Sequence, residues 1–394
     1  MDVPSPPFAC LALLCCCCCC WFVIVPVFFG AVAAGPHVCF PPQPLNGTAS
    51  GQGNEGAHVS VSCAGEIVVA VSAGGSAVVY HLNESVYSLG QQFDGVTDAS
   101  LTCDGSFLAT VLANGSVAVY AATGPNVTAW FAQLPGPLLR VPKAAPATRA
   151  VFSCRGRVLV VATTTGAVHV FGYNGTHMAP TVAATRVGRH AAGNATAIAS
   201  LAVSCSGALA AVGMPGQRAV YVLNTATGNV TGMATLDGDD GEDDMVFGAS
   251  VALAGGWSSL LAVGAPGRRA VYTFTGQLRD GGYVPHDLIE GSGRGFGAAV
   301  ALSGNGARLL VGSWSGYAAA GNVTMYVWNE PQHRYLVNED GTPGLTGDPE
   351  LGRALAMGHA GREFAVAAGG TATRRIAVTA CYTREGTNCP ACAP

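Results

Sequence analysis

The chain has 394 residues, 49% of them hydrophobic, which is enough for one large all-β domain or two ordinary ones. Only 11% of residues are charged, Lys143 is the single lysine, and the formal net charge is −4. That balance excludes a basic nucleic-acid surface, which needs clustered Lys and Arg.

Residues 1–35 differ from the rest. Phe8 to Ala34 is an unbroken apolar stretch holding Cys10, six consecutive cysteines (Cys15 to Cys20) and Pro26, and it ends in the small residues Ala31-Val32-Ala33-Ala34-Gly35. A leader helix is expected there. Two readings stay open: a signal peptide removed near Ala34, or an N-terminal membrane anchor, long enough to span and acylatable on Cys15 to Cys20. The first basic side chain is Arg140, so charge bias gives no orientation. Next comes a lead-in with Cys39, in which Gly51-Gln-Gly53-Asn-Glu-Gly56 spells a dinucleotide fingerprint but precedes the first repeat with no helix after it.

From His58 onward one pattern occurs seven times: an apolar run, a turn ending in Gly, a Val/Leu/Ala run, a second Gly turn, and a run ending in an aromatic. The copies lie near 58–82, 99–120, 149–171, 200–223, 249–274, 298–328 and 353–381, at spacings of roughly 40 to 55 residues. Each supplies three strands, A, B and C, and the stretch before the next copy has room for an outer strand D. Four short strands cannot bury both faces of one sheet, so the copies must stack radially. Residues 36–394 are therefore expected to form an all-β, seven-bladed β-propeller of four-stranded antiparallel blades. B strands such as Ile67-Val68-Val69-Ala70-Val71 are apolar on consecutive positions, as strands buried on both faces should be. Tyr80, Tyr120, Phe171, Tyr221, Tyr272 and Tyr326 fall late in strand C, where the blades splay and volume must be filled.

Eight of the 14 Asn residues begin an N-x-S/T triplet: Asn46, Asn83, Asn114, Asn126, Asn174, Asn194, Asn229 and Asn322. With 50 Ser plus Thr in the chain, chance places about two, so secretory N-glycosylation is expected. Four cysteines, Cys63, Cys103, Cys154 and Cys205, occupy one equivalent Ser/Thr-Cys-x-Gly turn between strands A and B. Equivalent turns of adjacent blades are expected to sit beyond the roughly 7 Å limit for a bridge, which predicts buried free thiols. The cysteines at the ends read differently. A propeller closes when one terminus adds a strand to the other's blade, so His37-Val38-Cys39-Phe40 is expected beside Ile376 to Ala380, with Cys39 bridged to Cys381. Cys389 and Cys392 form a candidate small-loop disulfide.

The fifth copy carries Phe247-Gly248 and then Leu260-Leu261-Ala262-Val263-Gly264-Ala265-Pro266, which resembles the FG-GAP repeat of integrin-α type propellers. The sixth keeps Phe296-Gly297 with Gly312-Ser313-Trp314; the seventh has Leu351-Gly352 and Ala367-Ala368-Gly369; the fourth has Gly213-Met214-Pro215 and no Phe-Gly. The resemblance covers roughly 200–380, and the first three copies keep only the general blade pattern. It implies a seven-bladed propeller that binds proteins or glycans outside the cell. The family's Asp-rich calcium loop is replaced by Ala254-Gly255-Gly256-Trp257-Ser258-Ser259, so its calcium sites do not carry over. A separate acidic run offers Asp237, Asp239 and Asp243 as calcium candidates, against a simpler reading as a solvated loop.

In a four-stranded meander the A–B and C–D turns share one face, the B–C and D–A connections the other. Asn83, Asn126, Asn174 and Asn229 fall in C–D turns, while Asn194 and Asn114 fall on the opposite face with the D–A loops. The expected ligand, a protein or glycan, therefore docks across the D–A loops, which include the acidic run and Gly291 to Gly295 with Arg294. No other cofactor is implied, and membrane contact is expected only through the N-terminal segment. The nine His residues lack metal-ligand spacing and read as surface or turn residues. No nucleophile elbow or zinc-protease motif occurs, so the expected function is non-catalytic recognition in the secretory pathway; a propeller enzyme with an axial, hydrolase-like site and a structural coat or wall component are the alternatives.

Overall fold

A computed structural model describes the chain between Val38 and Tyr382, apart from 40–42, 45–55, 73, 84–85, 125–129, 137, 140, 142–144, 189–196, 236–245, 256–258, 277–281, 315–320, 339–350, 362 and 369–374. The leader, Asp237, Asp239, Asp243, Asn46, Asn126, Asn194, Cys389 and Cys392 therefore lie outside the described residues.

Two short strands, β1 (Val38–Cys39) and β2 (Gln43–Pro44), precede the repeats. The repeats then build sheets in chain order. The first blade is β3 (Gly56–Val61), β4 (Ile67–Ser72), β5 (Ser76–Asn83) and β6 (Val86–Asp94); the second is β7 (Val96–Leu101), β8 (Phe107–Leu112), β9 (Val117–Thr123) and β10 (Trp130–Gln133). The third is β11 (Ala147–Phe152), β12 (Val158–Thr163), β13 (Ala167–Tyr173) and β14 (Met178–Arg186), the fourth β15 (Ser200–Val203), β16 (Leu209–Met214), β17 (Ala219–Asn224) and β18 (Val230–Thr235). The fifth is β19 (Ser250–Ala254), β20 (Leu260–Ala265), β21 (Ala270–Gly276) and β22 (Tyr283–Glu290), the sixth β23 (Phe296–Leu302), β24 (Arg308–Ser313), β25 (Asn322–Asn329) and β26 (Arg334–Val337). The seventh has three strands of its own, β27 (Ala354–Met357), β28 (Glu363–Ala368) and β29 (Arg375–Tyr382). Every pairing is antiparallel between sequence neighbours, and β1 and β2 complete the seventh sheet by pairing with β29. The chain is a seven-bladed β-propeller.

The closing register puts Val38 opposite Tyr382, Cys39 opposite Cys381, Gln43 opposite Val378 and Pro44 opposite Ala377. The outer strand is thus split into two short pieces, the first just past the Ile376–Ala380 segment expected from the sequence.

B strands are the most buried elements: β12, β16, β20 and β24 each bury five residues in a row, since a neighbouring blade lies against each face. The described hydrophobic cores all lie between consecutive blades. Phe247, Leu261 and Phe274 of the fifth pack on Val220 and Val222 of the fourth, and Ala365 of the seventh packs on Val68 and Tyr80 of the first. The strand C aromatics sit in these layers, with Tyr80, Phe171, Tyr221, Tyr272 and Tyr326 buried and Tyr120 half-buried. Among the described residues no helix is long and apolar enough to cross a membrane.

Candidate functional site

The A strands are innermost, so one register position repeated in seven copies makes a ring around the axis. The ring at the A–B turns is Cys63, Cys103, Cys154, Cys205, Gly255, Gly304 and His359. The residue before each of four of these is a buried hydroxyl that closes its own turn: Ser62, Thr102, Ser153 and Ser204 accept from the N–H of Ile67, Phe107, Val158 and Leu209 at 3.0–3.1 Å. Two residues further on, Gly65 and Gly105 take left-handed φ of 71° and 70°, the conformation the turn demands. The repeated Ser/Thr-Cys-x-Gly is therefore the chemistry of a tight turn.

These turns touch one another. The N–H of Cys63 donates to Cys103 O at 2.7 Å, Cys103 to Cys154 O at 2.8 Å, Cys154 to Cys205 O at 3.1 Å, and Gly304 to His359 O at 2.8 Å. The expectation of four free thiols is thereby overturned: Cys63–Cys103 and Cys154–Cys205 are disulfides, each with a Cα separation of 4.6 Å. Adjacent blades diverge at the rim, but at the axis their innermost turns converge to backbone hydrogen-bonding distance, well inside the bridging limit.

Five residues earlier, the corresponding ring lines the other end of the axis. It holds His58, Asp98 and Arg149 on blades one to three, then Ser200, Ser250, Ala299 and Ala354. Around it lies a cavity of 840 Å³, bordered also by the B–C turn residues Pro266 and Trp314 and by Arg294 and Arg353. Asp98 is 6% exposed and is held from behind, since its Oδ2 accepts from Ala150 N–H at 2.9 Å. Its Oδ1 lies 3.6 Å from His58 Nδ1 and 3.7 Å from Arg149 NH1. The Arg149 guanidinium donates to the His58 ring and, at 3.4 Å, to Ala199 O. Burial pushes the His58 imidazole down to about 4; Asp98 acts the other way, while Arg149 and Arg353 reinforce the lowering. The neutral ring is what lets it accept from a cation. Arg353 stacks on Trp314, 4.9 Å from the ring centroid. Among the described residues this lining sets three guanidiniums against one carboxylate.

The blades differ in how neighbours are joined. In blades one to three, Ser60 accepts from Leu101 N–H at 3.0 Å and Ser100 from Phe152 N–H at 3.1 Å. In blades four to six the joint is glycine on glycine. Ser200 and Ser250 donate to the carbonyls of Gly248 and Gly297, both at 2.8 Å, and a Cβ on Gly213, Gly264 or Gly312 would overlap the carbonyl oxygen of Gly248, Gly297 or Gly352. Phe-Gly and the later Gly of the repeat are thus the two halves of one interblade contact, with Phe247 and Phe296 buried beneath it.

Asn83, Asn174 and Asn229 are exposed at C–D turns, Asn114 and Asn322 exposed on the B–C side. The Gly291–Gly295 segment, one of the expected D–A docking loops, borders both the axial cavity and a 400 Å³ pocket against Asn322 and Tyr326. His58 and His359, expected as ordinary surface or turn residues, instead face the axis. The available signal was their register, because both occupy ring positions on innermost strands.

No family model and no curated protein matches the chain. Among solved structures, the β-propeller domain of Cps50 (Swd1) from Myceliophteria thermophila is similar with a TM-score of 0.57 and 12% identity over 88% of this chain and 99% of that one. Sqt1 from Chaetomium thermophilum is similar with a TM-score of 0.54 and 14% identity over 80% of this chain and 79% of that one. At such identities the likeness is one of fold.

Proposed function

We propose that the chain is a non-catalytic recognition module of the secretory pathway, secreted or held at the cell surface by its N-terminal segment, which docks an acidic protein loop or acidic glycan at the axial cavity. The cavity supports this best. It opens on the B–C and D–A side, it is lined by Arg149, Arg294 and Arg353 against Asp98, and the far end of the axis is occupied by hydrogen-bonded turns and His359. Of the five described sequons, Asn83, Asn174 and Asn229 lie on the other face, and Asn114 and Asn322 lie on the cavity side. Likeness of the repeats to integrin-α propellers agrees with extracellular binding, and protein binding is a use the propeller fold readily serves.

The His58–Asp98–Arg149 cluster is the observation that favours an enzyme. Its geometry suits binding better. The His58 ring already accepts from Arg149, and the nearby hydroxyls of Ser60, Ser100, Ser200 and Ser250 are each engaged by a backbone group of the next blade.

The test is to express the full chain in a secreting eukaryotic cell, read its N-terminus and glycan sites by mass spectrometry, and measure binding of the multimerised product to cell surfaces and to arrayed acidic glycans. Binding should fall at least tenfold in an Arg149→Glu/Arg353→Glu variant and persist in Asn83→Gln/Asn174→Gln/Asn229→Gln. Retention of the chain without glycans inside the cell, or equal binding by the arginine variant, would sink the reading.

A further inference from the structure

The far end of the axis carries chemistry that ligand docking does not use. Of the two bridges there, Cys63–Cys103 is buried, whereas Cys154, Cys205 and His359 are each half-buried and open to small solutes. The His359 imidazole stands on blade seven yet lies 4.0 Å, through Nδ1, from Cys154 Sγ on blade three, so it reaches across the axis; the backbone N–H of His359 donates to Cys63 Sγ at 3.2 Å. Space for that ring comes from Gly304, where a Cβ would overlap the imidazole. The ligand atoms of Cys154, Cys205 and His359 all lie within 4.8 Å of one another.

We propose that, once a small-molecule thiol has reduced the Cys154–Cys205 bridge to two thiols and left as its own disulfide, this ring is a soft-cation site in which the two thiolates and His359 hold one Zn²⁺-type ion, disulfide and metal being its two alternative states. Bond lengths of about 2.3 Å to sulfur and about 2.05 Å to nitrogen place two donors on a tetrahedral zinc about 3.6 Å apart. The Cys154–His359 separation is within a few tenths of an ångström of that. Cleaving the S–S bond lets the two sulfurs move apart to ligand spacing without leaving the ring. Three donors leave the fourth position for water. Loading converts two thiols and a divalent ion into a dithiolate complex and two released protons. Release runs through exchange with a small-molecule disulfide: the two bound thiolates are oxidised to Cys154–Cys205, the reagent is reduced to two thiolates, and the ion departs.

The experiment uses the full chain, reduced with a non-chelating phosphine, freed of reductant without oxygen, and titrated with Co²⁺ as a spectroscopic stand-in for zinc, with circular dichroism followed alongside. One equivalent should produce a thiolate-to-cobalt charge-transfer band and the intense visible bands of a tetrahedral site, displaced by Zn²⁺. The unreduced protein should give neither. Cys154→Ser and Cys205→Ser should each weaken the charge-transfer band by at least about half, one thiolate of two being removed, and His359→Ala should bind more than about 100-fold more weakly, beyond the roughly 10–100-fold that loss of a supporting partner of a ligand causes. Cys63→Ser should keep most of the affinity. Four results overturn the proposal: no cobalt bands in the reduced protein, equal binding before reduction, unchanged spectra in His359→Ala and Cys154→Ser, or a β-sheet signal lost on reduction that one equivalent of metal does not restore.

Discussion

Gly264→Ala isolates the interblade joint, because Gly264 has an ordinary φ and the added methyl meets only Gly297 of the next blade and the Ser250 hydroxyl that is bonded to it. Its Cβ would overlap the Gly297 carbonyl oxygen and Ser250 Oγ and lie 3.0 Å from the Gly297 carbonyl carbon. These are backbone and a hydroxyl already bonded to it, not the end of a flexible side chain, so the first strand of blade six must move. Overpacking of this kind costs about 1–3 kcal/mol, and displacing the 2.8 Å Ser250–Gly297 hydrogen bond adds about 0.5–1.5 kcal/mol. The expected loss is about 2–4 kcal/mol. For a body the size of His37–Pro394 the unfolding entropy is about 0.75 kcal/mol per kelvin, so Tm should drop by about 3–5 °C. Two controls separate sterics from backbone strain. Gly95 has φ of 70° and nothing within 4 Å of a Cβ; Gly95→Ala should cost only the left-handed penalty of about 1–2 kcal/mol. Gly282 has neither a positive φ nor a neighbour within 4 Å, and Gly282→Ala should be neutral. Thermal melts of the three variants with disulfides intact give the ranking. Gly264→Ala melting within 1 °C of Gly282→Ala would refute the argument that these glycines are fixed by blade-to-blade contact.

Acid should loosen the propeller through His58. Its folded value of about 4 lies below the ordinary 6.5, so the unfolded chain takes up a proton that the folded one refuses. Stability is full above 6.5, falls as pH drops through that window, and is lost by at most about 3 kcal/mol near pH 4. Denaturant midpoints at pH 7 and 4.5 should converge in His58→Gln relative to wild type, with a residual slope from His169 and His359, which burial also lowers; identical slopes in variant and wild type would remove His58 as the cause. At the closure, Cys39 and Cys381 face each other in an antiparallel pair, where Cα atoms lie about 4.5–5.5 Å apart and can be bridged. Non-reducing peptide mapping should recover the two cysteines linked, and Cys39→Ser should cost about 2–4 kcal/mol; unlinked peptides with an unchanged melt would show that backbone pairing alone shuts the ring.

Blade number, strand order and the double burial of the B strands were legible because each is a property of one repeat read in sequence: Val68 to Val71 is apolar without alternation, and Tyr80 or Tyr272 marks where strand C splays. What stayed hidden depends on distances between repeats. Cys63 and Cys103 are 40 residues apart, and nothing within either copy says that their turns meet. Their turns would lie beyond bridging distance only if the blades were evenly spaced plates, whereas innermost turns converge to backbone hydrogen-bonding distance. The same holds for His58, Asp98 and Arg149. Each reads as an isolated polar residue at the start of a strand, and only superposing the copies in register puts them side by side.

That superposition also explains why the polar residues of both rings crowd onto one side. In blades four to six the axial register is committed to close contact: Ser200 and Ser250 are bonded to the next blade's carbonyl, and Gly213, Gly264 and Gly312 leave no volume for a side chain. A guanidinium or imidazole placed there would break the joint that holds the blades together. Blades one to three pair His58 with Val71, Asp98 with Val111 and Arg149 with Ala162 in place of that glycine. Their joints run through side-chain acceptors instead, so the axial positions are free to carry charge. At the opposite end Gly255 and Gly304 clear the floor that His359 crosses, while the cysteines stand on blades one to four. Absence of the glycine joint from the first three repeats is therefore the condition that lets a chemically distinct cluster form at the axis.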